Sequence, residues 1–310
     1  MSLLNAYAEA AALTPHGQPL STTNRALVLL PPGQYDLVTN TLALDAEYVD
    51  LEGLSEDREK QHVYGTTTMT NTGVISQSAN DVRLTNLFVE ITRDSGRVST
   101  DASDPAAYFP EGDETATVIR NCHFKAAGEN HAWSMRVRKE YPGTFIDCSS
   151  GQYAFGGSGG SASGTFTDCT GGSGAFGGVG GTASGTFAGC TAGNYAFGGD
   201  GGTTNGEFNG CTGGDYAFGG GSDSTANGTF TNCSGGYSAF GGGGGAASGT
   251  FTNCTGSDYA FGSHGTADGG VFRYCTGGAY SFTTSGSPAP VHLYCIQDGR
   301  RTHRETCDER

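Results

Sequence analysis

From Gly143 to Gly286 the apolar positions recur with one period. Each repeat runs Gly-Thr-Phe-x-x-Cys-x-x-Gly-x-Tyr-Ala-Phe-Gly-Gly and then a stretch of small residues. Cys148, Cys169, Cys190, Cys211, Cys233, Cys254 and Cys275 mark it, in steps of 21, 21, 21, 22, 21 and 21 residues. A fixed period of this length is the signature of a solenoid or an array. Thr-Phe-Thr and its variants place one large apolar side chain between two polar ones, the alternation of a short strand with one face buried. A coil this small cannot bury its apolar side alone, so its stability must come from stacking on like coils.

The same pattern extends upstream of the regular repeats. The residue before each cysteine is Asp147, Asp168, Gly189, Gly210, Asn232 or Asn253. Asn, Asp and Gly enter the left-handed backbone region most readily, so this column predicts one bend per coil. Asn121 before Cys122, Asn86 before Leu87 and Gly53 before Leu54 continue it, and Tyr274 and Tyr294 break it. Three residues before the cysteine runs an inward column of Leu51, Leu84, Ile119, Phe145, Phe166, Phe187, Phe208, Phe230, Phe251 and Phe272, with His292 in the last place. About eleven coils follow, the first three spaced by 33, 35 and 26 residues and the rest near 21.

Ahead of the coils, Leu3, Leu4, Tyr7, Ala11 and Leu13 predict a short amphipathic helix, ended by Thr14-Pro15-His16-Gly17. Such a helix would cover the open end of the first coil. Four parts result: a cap and connector (1–25), long irregular coils (26–142) with an insertion at 93–117, regular coils (143–286), and a last coil with a charged tail (287–310).

Leu-Leu-Pro-Pro-Gly-Gln-Tyr-Asp-Leu from Leu29, Tyr48-Val-Asp-Leu-Glu-Gly53-Leu, and Ile119-Arg-Asn-Cys-His-Phe124 resemble the pectin-lyase-like right-handed parallel β-helix superfamily, over residues 26–297. The resemblance implies an all-β, right-handed parallel β-helix. That superfamily holds polysaccharide lyases, hydrolases, phage tailspikes and many non-catalytic repeat proteins, so it implies no single activity.

Charge narrows the partners. The formal net charge is −15, which disfavours nucleic acid and anionic membrane surfaces. No Lys or Arg lies between Lys139 and Arg273, so the regular coils present nearly neutral faces. No run of apolar residues is long enough for a transmembrane helix. The first residues lack a basic segment and carry Glu9, so a cytoplasmic, reduced protein is expected, with unconventional export left open.

Candidate chemistry falls in three places. Tyr153, Tyr195, Tyr216, Tyr259 and Tyr280 form a column, broken by Gly174 and Ser238, in which each Tyr precedes an apolar Phe by two residues. If that face points inward, both rings are core with the Tyr at the rim; if the intervening Ala points in, the rings form an exposed stripe that could stack on sugar rings. Outward Thr pairs, Thr165 with Thr167, Thr229 with Thr231 and Thr250 with Thr252, suggest an ice-binding array, interrupted at Thr186/Ala188, Thr144/Ile146 and Glu207/Asn209. The insertion supplies Asp101, Asp104, Glu111, Asp113 and Glu114, and nearby coils supply Arg120, His123, Lys125, His131, Arg136 and Arg138. Long loops on rigid scaffolds carry function. Lyases of the resembling superfamily use acidic calcium ligands and an Arg or Lys base, so calcium is expected only if the chain is a lyase; hydrolases use paired carboxylates. No catalytic motif of that superfamily matches residue by residue. The cysteine column has no Cys-x-x-Cys pair or regular His partner and reads as core, with no metal; Cys307 alone lies outside it and is the candidate reactive thiol. Three sequons, at Asn227, Asn232 and Asn253, add nothing without secretion. The leading expectation is a non-catalytic β-solenoid acting as a structural or binding protein, its partners a second copy or a polysaccharide. The alternative is a polysaccharide lyase or glycoside hydrolase with its site near residues 93–140.

Overall fold

A computed structural model describes residues 2–66, 73–92, 105–109, 116–125, 135–137, 140–156, 159–262, 265–282 and 290–302. The chain is an all-β parallel β-solenoid of about ten turns with one short N-terminal helix. It divides into two compact units, residues 1–155 with 164–171, and residues 156–163 with 172–310.

In the first unit the coils build three parallel sheets. The longest pairs Ala26–Leu30, Val49–Gly53, Arg83–Thr85, Val118–Arg120, Thr144–Ile146 and Thr165–Thr167 in turn. The second pairs Gly33–Asp36, Gln61–Gly65, Phe88–Ile91, His123–Lys125 and Ser149–Ser150. The third pairs Leu42–Leu44, Ile75–Gln77, Ala107–Phe109 and Met135–Val137. Leu51, Leu84, Ile119, Phe145 and Phe166 stack in register and are buried. Helix α1 (Leu3–Ala11) is capped by Ser2, whose hydroxyl accepts from the Asn5 N–H, and it buries Leu3, Tyr7 and Ala10 against the first two strands of the long sheet.

The bend column is real, with one correction at its start. Asn86, Asn121, Asp147 and Asp168 have φ of 58°, 48°, 51° and 52°. The left-handed residue turns its N–H to the next coil: Asn86 donates to Arg120 O (3.1 Å), Asn121 to Ile146 O (2.9 Å) and Asp147 to Thr167 O (2.9 Å). The side chains repeat the stacking, Asn121 Nδ2 donating to Asn86 Oδ1 (2.8 Å) and Asn86 Nδ2 to Gly53 O (3.1 Å). Gly53 itself ends a strand and is not left-handed. It is glycine for room, since a Cβ there would lie 2.3 Å from the Asn86 carbonyl oxygen.

In the second unit the long sheet pairs Thr186–Ala188, Glu207–Asn209, Thr229–Thr231, Thr250–Thr252, Val271–Arg273 and Val291–Leu293. Phe187, Phe208, Phe230, Phe251 and Phe272 stack as one ladder, adjacent centroids 4.7–4.9 Å apart. Phe176, Phe197, Phe218, Phe240, Phe261 and Phe282 form a second, at 4.8–5.0 Å. These spacings are the interstrand repeat of a sheet. The two ladders meet edge to face, as Phe208 does with Phe197 and Phe218, the favoured aromatic geometry. Gly189, Gly210, Asn232 and Asn253 hold the bend. So do Tyr274 and Tyr294, with φ of 54° and 56°, although sequence predicted that they break it. The coils stacked beside them impose the backbone, and the two exposed rings stack at 5.3 Å with 4° between planes.

His292 ends the inward column opposite Phe272. Its Nε2 is buried and has no hydrogen-bond partner among the described residues, and desolvation holds its pKa below the ordinary value of 6.5. The unfolded chain therefore binds the proton more readily, and the folded chain loses stability as pH falls below 6.5. We predict that the urea midpoint falls between pH 7.5 and pH 5.5 in the native chain and that His292→Phe removes His292's share of that fall. An unchanged pH slope in the variant would show that His292 is not its source.

Candidate functional site

Charged and aromatic side chains gather on the outer face of the second sheet of the first unit. Strand alternation puts them there. In Gln61–Gly65, Gln61, Val63 and Gly65 are buried while His62 and Tyr64 turn outward. In Phe88–Ile91, Val89 and Ile91 point in and Glu90 points out. In His123–Lys125, Phe124 points in between the other two. Parallel register then aligns His62, Phe88 and His123 in one outward column, and Tyr64, Glu90 and Lys125 in the next.

The rings of the first column stack, His62 on Phe88 at 4.4 Å and Phe88 on His123 at 4.8 Å. In the second column Glu90 sits between two basic groups: Lys125 Nζ is 2.7 Å from Oε1 and His62 Nε2 is 3.0 Å from Oε2. The short 3-10 turn Arg58–Lys60 closes one side. Asp57 caps it by accepting from the Glu59 N–H, and Glu59 Oε1 lies 2.7 Å from His123 Nδ1. Arg58 Nη1 donates to the Asp147 carbonyl oxygen at 2.7 Å. Two carboxylates are thus each held by a basic partner beside an aromatic column. Among the described residues no group of three His, Cys, Asp or Glu side chains could hold a metal ion.

Of the residues that sequence suggested, Arg120 lies on the neighbouring sheet, pointing outward and exposed. Asp101, Asp104, Glu111, Asp113, Glu114, His131, Arg138 and Cys307 lie outside the described residues, as does the side chain of Arg136. The backbone of Arg136 pairs with Tyr108. His123 and Lys125 belong to the outward face just described. His62, Glu90, Glu59 and Phe88 were missed. Their signal was the shared out-in-out pattern of His62-Val63-Tyr64, Phe88-Val89-Glu90 and His123-Phe124-Lys125, hidden by the unequal lengths of the early coils.

The tyrosines do not sit on strands. Tyr153, Tyr195, Tyr216, Tyr259 and Tyr280 occupy turns with φ of 51°, 56°, 53°, 58° and 55°. The two-residue alternation assumed for Tyr-Ala-Phe therefore does not apply, yet Phe155, Phe197, Phe218 and Phe261 are buried. In the second unit, Tyr237 fills the gap left at Ser238, so five rings run in series from Tyr195 to Tyr280 with centroids 5.3–5.6 Å apart. A ring stacked on its neighbours has less free face for a sugar. Thr229 and Thr231 align with Thr250 and Thr252, but Glu207 and Asn209 precede them and Val271 and Arg273 follow, so this flat Thr array is two rungs deep. The nine column cysteines are buried thiols. Cys211, Cys233, Cys254, Cys275 and Cys295 point Sγ at the phenylalanine carbonyl of the preceding coil, 3.4–3.5 Å away. Burial pushes the Cys122 thiol up to about 12, which makes it a poor nucleophile at neutral pH.

No helix among the described residues is long and apolar enough to cross a membrane. No protein-family model matches the sequence, and no curated protein matches it. Among solved structures, the chain is similar to pectin methylesterase PemA from Erwinia chrysanthemi, with 11% identity over 100% of this chain and 87% of that one and a TM-score of 0.36. It is similar also to a pectin methylesterase from Yersinia enterocolitica, with 11% identity over 94% and 93% of the two chains and a TM-score of 0.41.

Proposed function

We propose that the chain is a non-catalytic β-solenoid, a structural and binding protein whose recognition face is the outward sheet carrying His62, Glu90, His123 and Lys125. One observation carries the reading: the carboxylates of this face each already have a basic neighbour at close range, Glu90 with Lys125 Nζ at 2.7 Å and Glu59 with His123 Nδ1 at 2.7 Å. An acid or base at work needs an open side toward its substrate and a pKa suited to proton transfer. Carboxylates already engaged by neighbouring side chains suit a preformed face for a polar ligand, a polysaccharide being the proposed class. The regular coils support the reading, because their phenylalanine and thiol side chains are used in packing.

A second reading has one observation in its favour. The outward cluster of His62, Glu90, His123 and Lys125 sits on the irregular coils, where a carbohydrate-active enzyme would break the repeat. Glu90 would then be its acid or base. One assay separates the two. The purified chain is incubated with a panel of neutral and acidic polysaccharides, and reducing ends, unsaturated products and released acid are followed, with circular dichroism confirming the fold. We expect no turnover, and binding by affinity electrophoresis that weakens in Lys125→Ala. Turnover abolished by Glu90→Gln would establish the enzyme instead.

A further inference from the structure

The outward side chains of the two long sheets follow a rule with two exceptions. Each strand offers one outward pair. In the first unit the pairs after the first strand are Asp50/Glu52, Arg83/Thr85, Val118/Arg120, Thr144/Ile146 and Thr165/Thr167. In the second unit they are Thr186/Ala188, Glu207/Asn209, Thr229/Thr231, Thr250/Thr252 and Val271/Arg273. Each holds at least one polar side chain. The exceptions are the first strand of the first unit, where Leu27 and Leu29 are 47% and 50% exposed, and the last strand of the second, where Val291 and Leu293 are 39% and 36% exposed. Leu54, just after the second strand of the first unit, and Tyr294 and Ile296, just after the last strand of the second, are also exposed. Two apolar patches where alternation would place polar residues call for cover.

The charges beside the patches are opposite and occupy matching places. Leu29 is in register with Glu52 on the adjacent strand, and Leu293 is in register with Arg273. Neither Glu52 nor Arg273 has an ion-pair partner among the described residues. Each face is therefore an apolar pair with one unpaired charge at the same offset, negative on one and positive on the other. We propose that the Leu27–Leu29 face of one copy docks on the Val291–Leu293 face of a second copy, with Glu52 meeting Arg273. The two faces differ, so the contact is heterologous: each copy keeps one face of each kind free, and association continues into longer assemblies or closes as a ring. The inference deepens the structural reading above and rests on it.

The test is sedimentation velocity on the full chain across a wide concentration range, without glycan, at low and high salt. We expect reversible, concentration-dependent association that weakens with salt, as a charge pair at a partly exposed contact requires. Glu52→Arg and Arg273→Glu, each checked for an unchanged urea midpoint, should each weaken association by about tenfold or more. The Glu52→Arg/Arg273→Glu double variant should regain it, which loss of fold could not produce. A native chain that sediments as one monomeric species at every concentration overturns the proposal, and so does a double variant no better than the single ones. Polysaccharide turnover would instead remove the non-catalytic reading, so the two failures are distinguishable.

Discussion

Phe208→Ala is expected to lower stability by about 3–5 kcal/mol, as large core truncations do. Phe208 is 2% exposed, lies within one ring ladder and meets the other edge to face. It stacks on Phe187 at 4.7 Å and Phe230 at 4.9 Å, and meets Phe197 and Phe218 edge-on at 5.7 and 5.8 Å. Truncation removes four ring contacts at once. The void cannot close, because the hydrogen-bonded strands above and below hold the coils at their fixed separation. Part of the loss is hydrophobic transfer and part is the residual cavity. Because each coil contacts only its neighbours, the damage should centre on the adjacent coils. Urea unfolding measures the total, and hydrogen exchange at the amides of Glu207–Asn209 and Thr229–Thr231 locates it. A change below about 1 kcal/mol would mean the coil collapses around the gap and the ladder is not rigid.

Arg25→Ala should cost a similar amount, about 3–5 kcal/mol, for a different reason. Arg25 Nε and Nη2 contact the two carboxylate oxygens of Asp50 at 2.7 and 2.5 Å, and Nη1 contacts Asp81 at 2.8 Å. Its Nη2 also donates to the Asp81 carbonyl oxygen, and the guanidinium lies over the Tyr48 ring at 5.5 Å. All three charged side chains are nearly buried. The hydrogen bond to Asp50 is the main cause that raises the Arg25 pKa. Without Arg25, two carboxylates share a poorly solvated pocket with no counter-charge, and their desolvation is no longer offset. Asp50 still accepts from the Arg83 N–H, which is too little for two charges. Urea midpoints of Arg25→Ala and of the Arg25→Ala/Asp50→Asn/Asp81→Asn triple variant decide the matter. The triple variant should recover part of the loss, whereas equal losses would assign the role to Arg25 packing alone.

The fold was legible because the repeat states it many times. One inward ring, one small buried thiol and one bend-prone residue per coil leave a parallel stack as the arrangement that buries them together. The helix Leu3–Ala11 and the strand Ala26–Leu30 were readable from local periodicity and apolar content. Tyr274 and Tyr294 were misread because residue type argues against a left-handed bend, while neighbouring coils impose one. Tyr237 was missed because it reaches the tyrosine column from one residue earlier, and only ring positions reveal that.

The outward face of the first unit depended on register between coils of unequal length. His62, Phe88 and His123 stack because parallel pairing aligns them, yet no constant spacing marks them in the chain. The pairing of Arg25 with both Asp50 and Asp81 was hidden for the same reason. By itself the sequence determined the repeat, the inward columns and the near-neutral regular coils, since these follow from periodic local chemistry. Tertiary structure alone decided which irregular residues meet, because the hydrogen-bond register, not distance along the chain, sets what lies beside what on a stack of coils.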